Sequence, residues 1–283
     1  MCAKTTLGWK LIVEDEELGI YGNGLNRKVV LNRPRNGNAL TASMVSRLQQ
    51  FFLESANDNT ISRIILTAKG KFFCTGMDLG KSTDDMSRDE HANSSKYRIF
   101  VDLFQAIQDS PKVTIAVING PCYAGGIGLA FSCDIRLAVV SATVSLSEVK
   151  LGLCPAIISQ YLVREWGTAF TREAMLSGRT ISIADLKTIG AVHGIAKTVP
   201  DLENLQSSYL ESLRFCASQA SSMCKDMVRA ANTSSIQDER DAAVRKVFVE
   251  MMKDGSESSI GIRNFQSKKK RVDWDELGPQ SKL

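Results

Sequence analysis

Two short glycine-rich stretches carry backbone that could do chemistry. In "KFFCTGMDL", Gly76 permits a turn that leaves the Met77 amide outside regular strand pairing. In "YAGGIGLA", Gly125 and Gly126 open a helix, where unpaired N–H groups coincide with the positive end of the helix dipole. Two such donors aimed at one point make an oxyanion hole, which holds an oxygen that gains negative charge during reaction. Each turn taken alone is explained as well by the steric need for glycine, so the inference rests on the pair. Other catalytic groups are scarce. Seven cysteines with no C-x-x-C pair, and two histidines, give no zinc cluster, disulfide frame or nucleophilic triad. His91 lies in a polar stretch and His193 in an apolar one, and neither is placed for acid–base work.

The elements that must position these turns follow an α/β pattern. Strands are expected at 27–32, 61–67 and 113–120. Between the first two, Leu40, Met44, Val45, Leu48, Phe51 and Phe52 fall on one helical stripe, which is core packing. Residues 80–96 are polar and without period, a loop of the kind that covers binding sites, and a helix is expected from Tyr97 to Ile107. Beyond residue 170 the chain is helical. One long amphipathic segment is expected over 202–224, and a further helix should present Val244, Val247, Phe248 and Met251 on a side that needs another surface to bury it.

With 283 residues, 43% of them hydrophobic, the chain is long enough for a large core and is not disordered as a whole. Net charge is only +4, and much of the excess is the run Lys268, Lys269, Lys270 and Arg271, which suits a solvated surface or contact with a phosphate-bearing ligand but not a nucleic-acid face. No stretch approaches the roughly 18 apolar residues of a membrane span, so no membrane insertion is expected. No signal-peptide core is present at the start. Ser281, Lys282 and Leu283 form the tripeptide address read by the peroxisomal import receptor, which points to a peroxisomal location.

The order "FCTGMDL", then "NGPCYAGG", then "CDIRLAVVSATVSLSEVKLGLCP" resembles the enoyl-CoA hydratase/isomerase superfamily, also called the crotonase family. The likeness runs from "VVLNRPRNGNAL" at residue 29 to "LSGRTISIADLKTIGAVHGIAKTV", which ends at residue 199. It implies a spiral of strand–strand–helix repeats over 1–200 with the acyl-CoA site, a helical trimerisation region over 201–272, and a tail over 273–283. It also implies an acyl-CoA substrate, assembly as a homotrimer or a dimer of trimers, and no cofactor beyond the CoA that the substrate carries. By the same resemblance the Met77 and Gly125 amides hold the thioester oxygen as an enolate forms.

Hydratases of this family usually carry two glutamates. The second matches Glu148, set between Leu146, Val149 and Leu151, where a raised pKa would suit proton transfer. The first falls on Gly128. With one carboxylate, the expected reactions are hydration or dehydration, helped by a 3-methyl branch that stabilises charge at Cβ, or a Δ3–Δ2 isomerisation that needs one base. Gly128 is expected to leave space for that methyl. The pattern is similar to enzymes acting on 3-hydroxy-3-methylglutaryl thioesters and to fungal hydratases of siderophore or toxin assembly, a setting in secondary metabolism. A catalytically silent acyl-CoA binder is the alternative from another class. Ala39, Asp78, Tyr123, Gly126 and Cys154 complete the expected substrate site, with Asp78 also suited to holding its turn and Cys154 also suited to the core. Arg27 and Lys28 lie in segments where relatives line the nucleotide channel.

Overall fold

The computed structural model describes residues 8–78, 90–233, 235–267 and 271–278. Strands β1 (Lys10–Glu14), β2 (Leu18–Asn23) and β3 (Asn26–Leu31) form an antiparallel meander at one side of a seven-stranded sheet. The sheet continues in parallel through β4 (Arg63–Ala68) and β5 (Val113–Ile118). Helix α1 (Ala42–Asn57) links β3 to β4, and α2 (Glu90–Asp109) precedes β5.

A second, three-stranded sheet starts at β6 (Cys122–Tyr123), which leads into α3 (Gly125–Phe131). The chain then returns to the large sheet at β7 (Ile135–Val139) and crosses again to β8 (Thr143–Ser145). After α4 (Ala156–Trp166) and α5 (Thr168–Ser177), β9 (Thr180–Ser182) closes the small sheet. Helix α6 (Ile183–Thr188) and β10 (Gly194–Ala196) complete the large one, in the order β1-β2-β3-β4-β5-β7-β10. This is the α/β crotonase architecture. The helices α7 (Val199–Leu213), α8 (Ser218–Thr233), α9 (Gln237–Met251), α10 (Glu257–Gln266) and α11 (Trp274–Leu277) follow.

Strands β4, β5 and β7 are nearly continuous runs of buried apolar residues because sheet and helices cover them on both faces. The core joins Ile64, Ile65, Ile115 and Leu137 of the sheet to Leu48, Phe52, Leu103, Phe104, Phe131 and Leu162 of the helices. Helix α1 starts where Thr41 accepts from the Met44 amide and buries Met44, Val45, Leu48 and Phe52, the stripe read from the sequence.

Two expectations are corrected. Helix α2 begins at Glu90, not at Tyr97: a polar first turn has no apolar period, yet it propagates from the periodic part once that is formed. Residues 79–89 of the expected loop lie outside the described residues. The single helix expected over 202–224 is two, α7 and α8, broken at 214–217 without glycine or proline. Distant partners make the break. Arg63 of β4, 2% exposed, donates to the Leu213 carbonyl at 2.5 Å and pairs with Asp275 at 2.9 Å, and the Trp274 amide donates to the Arg214 carbonyl at 3.0 Å. Carbonyls at the end of α7 thus find donors far away in the chain. Helix α7 packs on β7 and β10.

Candidate active site

Three parallel segments reach one edge of the fold. Cys74 pairs with Cys122 in an isolated parallel bridge, and Cys122 pairs with Val144 where β6 runs beside β8. From this common rung Met77 and Gly125 lie three residues onward and Glu148 four. Parallel strands leave their sheet in one direction, so the two glycine turns and the glutamate gather at the same end.

The amides of the two turns are free to face a ligand. Leu40 donates to the Gly76 carbonyl at 2.8 Å, and Asp78 donates to the Leu40 carbonyl at 3.0 Å. Met77, opposite Leu40 in this bridge, therefore turns its own N–H to the other side. Gly76 has φ of 100°, a conformation closed to L side chains, and this is what bends the chain into Met77. Gly125 is the first residue of α3, and the Ala124 carbonyl accepts from Ile127 at 2.9 Å and from Gly128 at 3.4 Å. The Gly125 amide thus has no acceptor within its helix. The two turns abut: a Cβ built on Gly125 would lie 3.6 Å from the Met77 nitrogen. Ala124 holds φ of 46°, a strained value for alanine that costs about 1–3 kcal/mol and persists because its surroundings fix it.

Glu148 lies in a 3-10 turn, Ser147–Leu151, immediately beyond β8. Its side chain is half-buried, and Oε2 is buried without a hydrogen-bond partner among the described residues. Burial pushes its pKa above the usual carboxylate value, and a hydrogen bond from its own backbone offsets part of the rise. Val149, Leu151 and Leu153 are exposed around it, an apolar rim suited to an acyl chain. A carboxylate with an unused oxygen in such surroundings can accept a proton and return it.

The other candidates separate. Asp78 is held by Arg33 at 2.8 Å, and the same guanidinium donates to the Ala39 carbonyl at 2.6 Å, so Asp78 and Ala39 are tied into one turn. Asn38, fully buried, donates to the Lys69 and Phe72 carbonyls and accepts from the Arg33 amide. Arg33 and Asn38 were visible in "NRPRNGNAL", but their partners lie far apart in sequence. Tyr123 is half-buried, its ring 6.3 Å from that of Phe72. Gly126 is packed against Cys74, and a Cβ there would fall 2.4 Å from the Cys74 carbonyl oxygen. Cys154 is exposed, which corrects its alternative assignment to the core.

Gly128 requires a larger correction. The space beside it is not open to a substrate methyl: a Cβ at this position would meet the Phe104 ring at 2.5 Å and Ile158 Cγ2 at 2.7 Å. Phe104 is 1% exposed and Ile158 4%. Core side chains from α2 and α4 fill the volume that a side chain at 128 would take. His193 is structural. Its Nδ1 accepts from the Arg136 amide at 3.1 Å, and burial, with Arg136 and Lys187 nearby, brings its pKa down to about 4. The imidazole is therefore neutral at pH 7. The His91 side chain, Lys268–Lys270 and Ser281–Leu283 lie outside the described residues. Among the described residues no group of His, Cys, Asp and Glu is arranged to hold a metal, and no helix is long and apolar enough to cross a membrane.

A family model described as enoyl-CoA hydratase/isomerase matches residues 25–276. Enoyl-CoA hydratase ACTT6 of Alternaria alternata is 42% identical over 250 residues, covering 88% of this chain and 81% of that protein. Enoyl-CoA hydratase AFT6-1 of the same organism is 41% identical with the same coverage. Among solved structures, AtuE of Pseudomonas aeruginosa superposes with a TM-score of 0.86 at 28% identity, over 92% of this chain and 100% of that one. An enoyl-CoA hydratase/isomerase from Marinobacter aquaeolei gives 0.81 at 28% identity, over the same shares. The family model spans most of the chain and the relatives share its fold, and the chain belongs to the enoyl-CoA hydratase/isomerase family.

Proposed function

We propose that this enzyme adds water to, or removes it from, a CoA thioester, with Glu148 as the acid–base group and the Met77 and Gly125 amides holding the thioester oxygen. The observation that carries this reading is the common rung from which one half-buried carboxylate and two amides, each outside its strand or helix pairing among the described residues, reach the same edge. In the elimination direction Glu148 takes the proton from Cα and the electron pair moves onto the thioester oxygen, forming an enolate. The enolate collapses to the 2,3-double bond as the Cβ hydroxyl leaves, protonated by the same Glu148. Addition is the reverse, and both proton transfers occur on one face. The step is redox-neutral and calls for no cofactor. Each amide is worth roughly 10²- to 10³-fold in rate in sites of this kind.

A 3-methyl substituent makes the one-carboxylate route easier by stabilising positive charge at Cβ as the C–O bond stretches. That electronic argument supports a branched substrate; the packing of Phe104 and Ile158 against Gly128 removes the steric one. The Alternaria relatives are named enoyl-CoA hydratases, which favours hydration over isomerisation. A Δ3–Δ2 isomerase is the second reading, supported by the same lack of a carboxylate at 128. A panel of enoyl-CoA thioesters in H₂¹⁸O separates the two: hydration puts ¹⁸O into the product, whereas isomerisation exchanges only hydrogen. Binding of thioesters without any turnover would instead favour the silent binder.

We also propose a peroxisomal location, from Ser281, Lys282 and Leu283, and assembly as a trimer or dimer of trimers. For assembly the support is the apolar side of α9, where Val244 and Phe248 are each 56% exposed.

A further inference from the structure

The donors of the candidate oxyanion hole sit on two separate turns, and both must lie within about 2.7–3.1 Å of one oxygen. Something must fix the spacing between the turns. We propose that Cys74 is a positioning residue that sets this spacing; the proposal rests on the reading of the Met77 and Gly125 amides given above.

Cys74 is fully buried and touches both turns. Toward the first, its Sγ accepts from the Gly76 amide at 3.4 Å, one residue before the Met77 donor. Toward the second, its carbonyl accepts from the Tyr123 amide at 2.9 Å, and Cys122 is its rung partner. The backbone of α3 also lies against it, since a Cβ on Gly126 would come within 2.7 Å of the Cys74 Cβ. Removing the sulfur frees the Gly76 amide from its acceptor and opens a gap between the turn and the helix. Burial holds the thiol pKa up at about 12, so the sulfur stays a neutral acceptor for the Gly76 amide. A displacement of the order of 1 Å at a reacting group can cost about 10²-fold in rate.

The test uses the full-length enzyme with 3-methylbutanoyl-CoA labelled with ¹³C at the thioester carbonyl, a saturated probe that cannot be hydrated. Infrared difference spectra report hydrogen bonding to that carbonyl, and kcat and KM are measured separately with an enoyl-CoA substrate. The wild type should move the carbonyl band to lower frequency. Cys74→Ala should lose about half of that movement and about tenfold in kcat with KM changed little, while Cys74→Ser, which keeps an acceptor for Gly76, should stay close to wild type. Cys122→Ala, equally buried on the same rung, should leave the band in place. Should Cys74→Ala fail to fold, Cys74→Val decides, because it fills the volume without offering an acceptor and should give the same loss of band shift. A full band shift in the Ala or Val variant, or an equal loss in Cys122→Ala, overturns the role of Cys74. No band shift in the wild type overturns the oxyanion reading itself.

Discussion

Gly128→Ala separates a packed glycine from one that opens onto a substrate. Within a helix, alanine in place of glycine normally adds up to about 1 kcal/mol of stability. Here the new methyl would sit 2.5 Å from Phe104 Cζ and 2.7 Å from both Phe104 Cε2 and Ile158 Cγ2, against 3.4–4 Å for ordinary contact. The Phe104 ring must retreat by roughly 1 Å, a forced shift of the kind that makes overpacking cost typically about 1–3 kcal/mol. Retreat is obstructed, because the ring packs against Phe100 at 6.1 Å and edge-on to Tyr161 at 5.9 Å. The net expectation is a loss of up to about 2 kcal/mol for Gly128→Ala, once the helical gain is set against overpacking. In a Phe104→Ala background, itself less stable by about 3–5 kcal/mol, the same change should cost less, since the ring contacts are gone and Ile158 Cγ2 can shift into the space the ring leaves. The coupling between the two sites should exceed about 1 kcal/mol. Urea denaturation of wild type, both single variants and the double variant at one protein concentration measures it. Gly128→Ala at least as stable as wild type, or an equal cost with and without the Phe104 ring, would refute the packing argument.

Other outcomes follow from the same geometry. Because burial raises the Glu148 pKa and the base form begins the elimination, kcat/KM should fall as pH drops through a value above 4.5; an acid limb at or below 4.5 would contradict the cause assigned. The matching stability effect has a fixed sign: a carboxyl whose folded pKa is raised contributes stability below its unfolded pKa and loses it as pH rises through the folded one. Glu148→Gln should therefore be more stable than wild type at neutral pH, with the advantage vanishing in acid, as thermal melts across pH would show. Gly125→Pro deletes one donor and should lower turnover by at least roughly 10²-fold; near-normal rates would remove Gly125 from the site. A fluorescent protein ending in the last ten residues of this chain should collect in peroxisomes and disperse when Leu283 is removed. A uniform cytosolic signal from the intact tail would discard that address.

Much of the candidate site was legible because the parts proposed to work in it are backbone, and backbone in unusual conformations leaves glycine behind. Gly76 and Gly125 marked the two turns, and Gly126 reports a close approach that only glycine allows. The core stripe of α1 was legible for a different reason, since burial on one helical face imposes a period. What stayed hidden depends on contacts across long sequence separations. The break between α7 and α8 is made by Arg63 and Trp274, neither of which leaves a trace near residue 214. The filling of the Gly128 space by Phe104 and Ile158 comes from two other helices. Sequence shows that a side chain is missing, whereas only packing shows what took its place.

The account depends most on Glu148 acting alone. Hydration of 3-methyl-branched and straight enoyl-CoA thioesters in H₂¹⁸O, by wild type and by Glu148→Gln at equal concentration, tests this directly. The account predicts that Glu148→Gln still binds the thioester but incorporates ¹⁸O slower by about 10²- to 10⁴-fold, the usual worth of a positioned acid–base group. Undiminished ¹⁸O incorporation by that variant would contradict it.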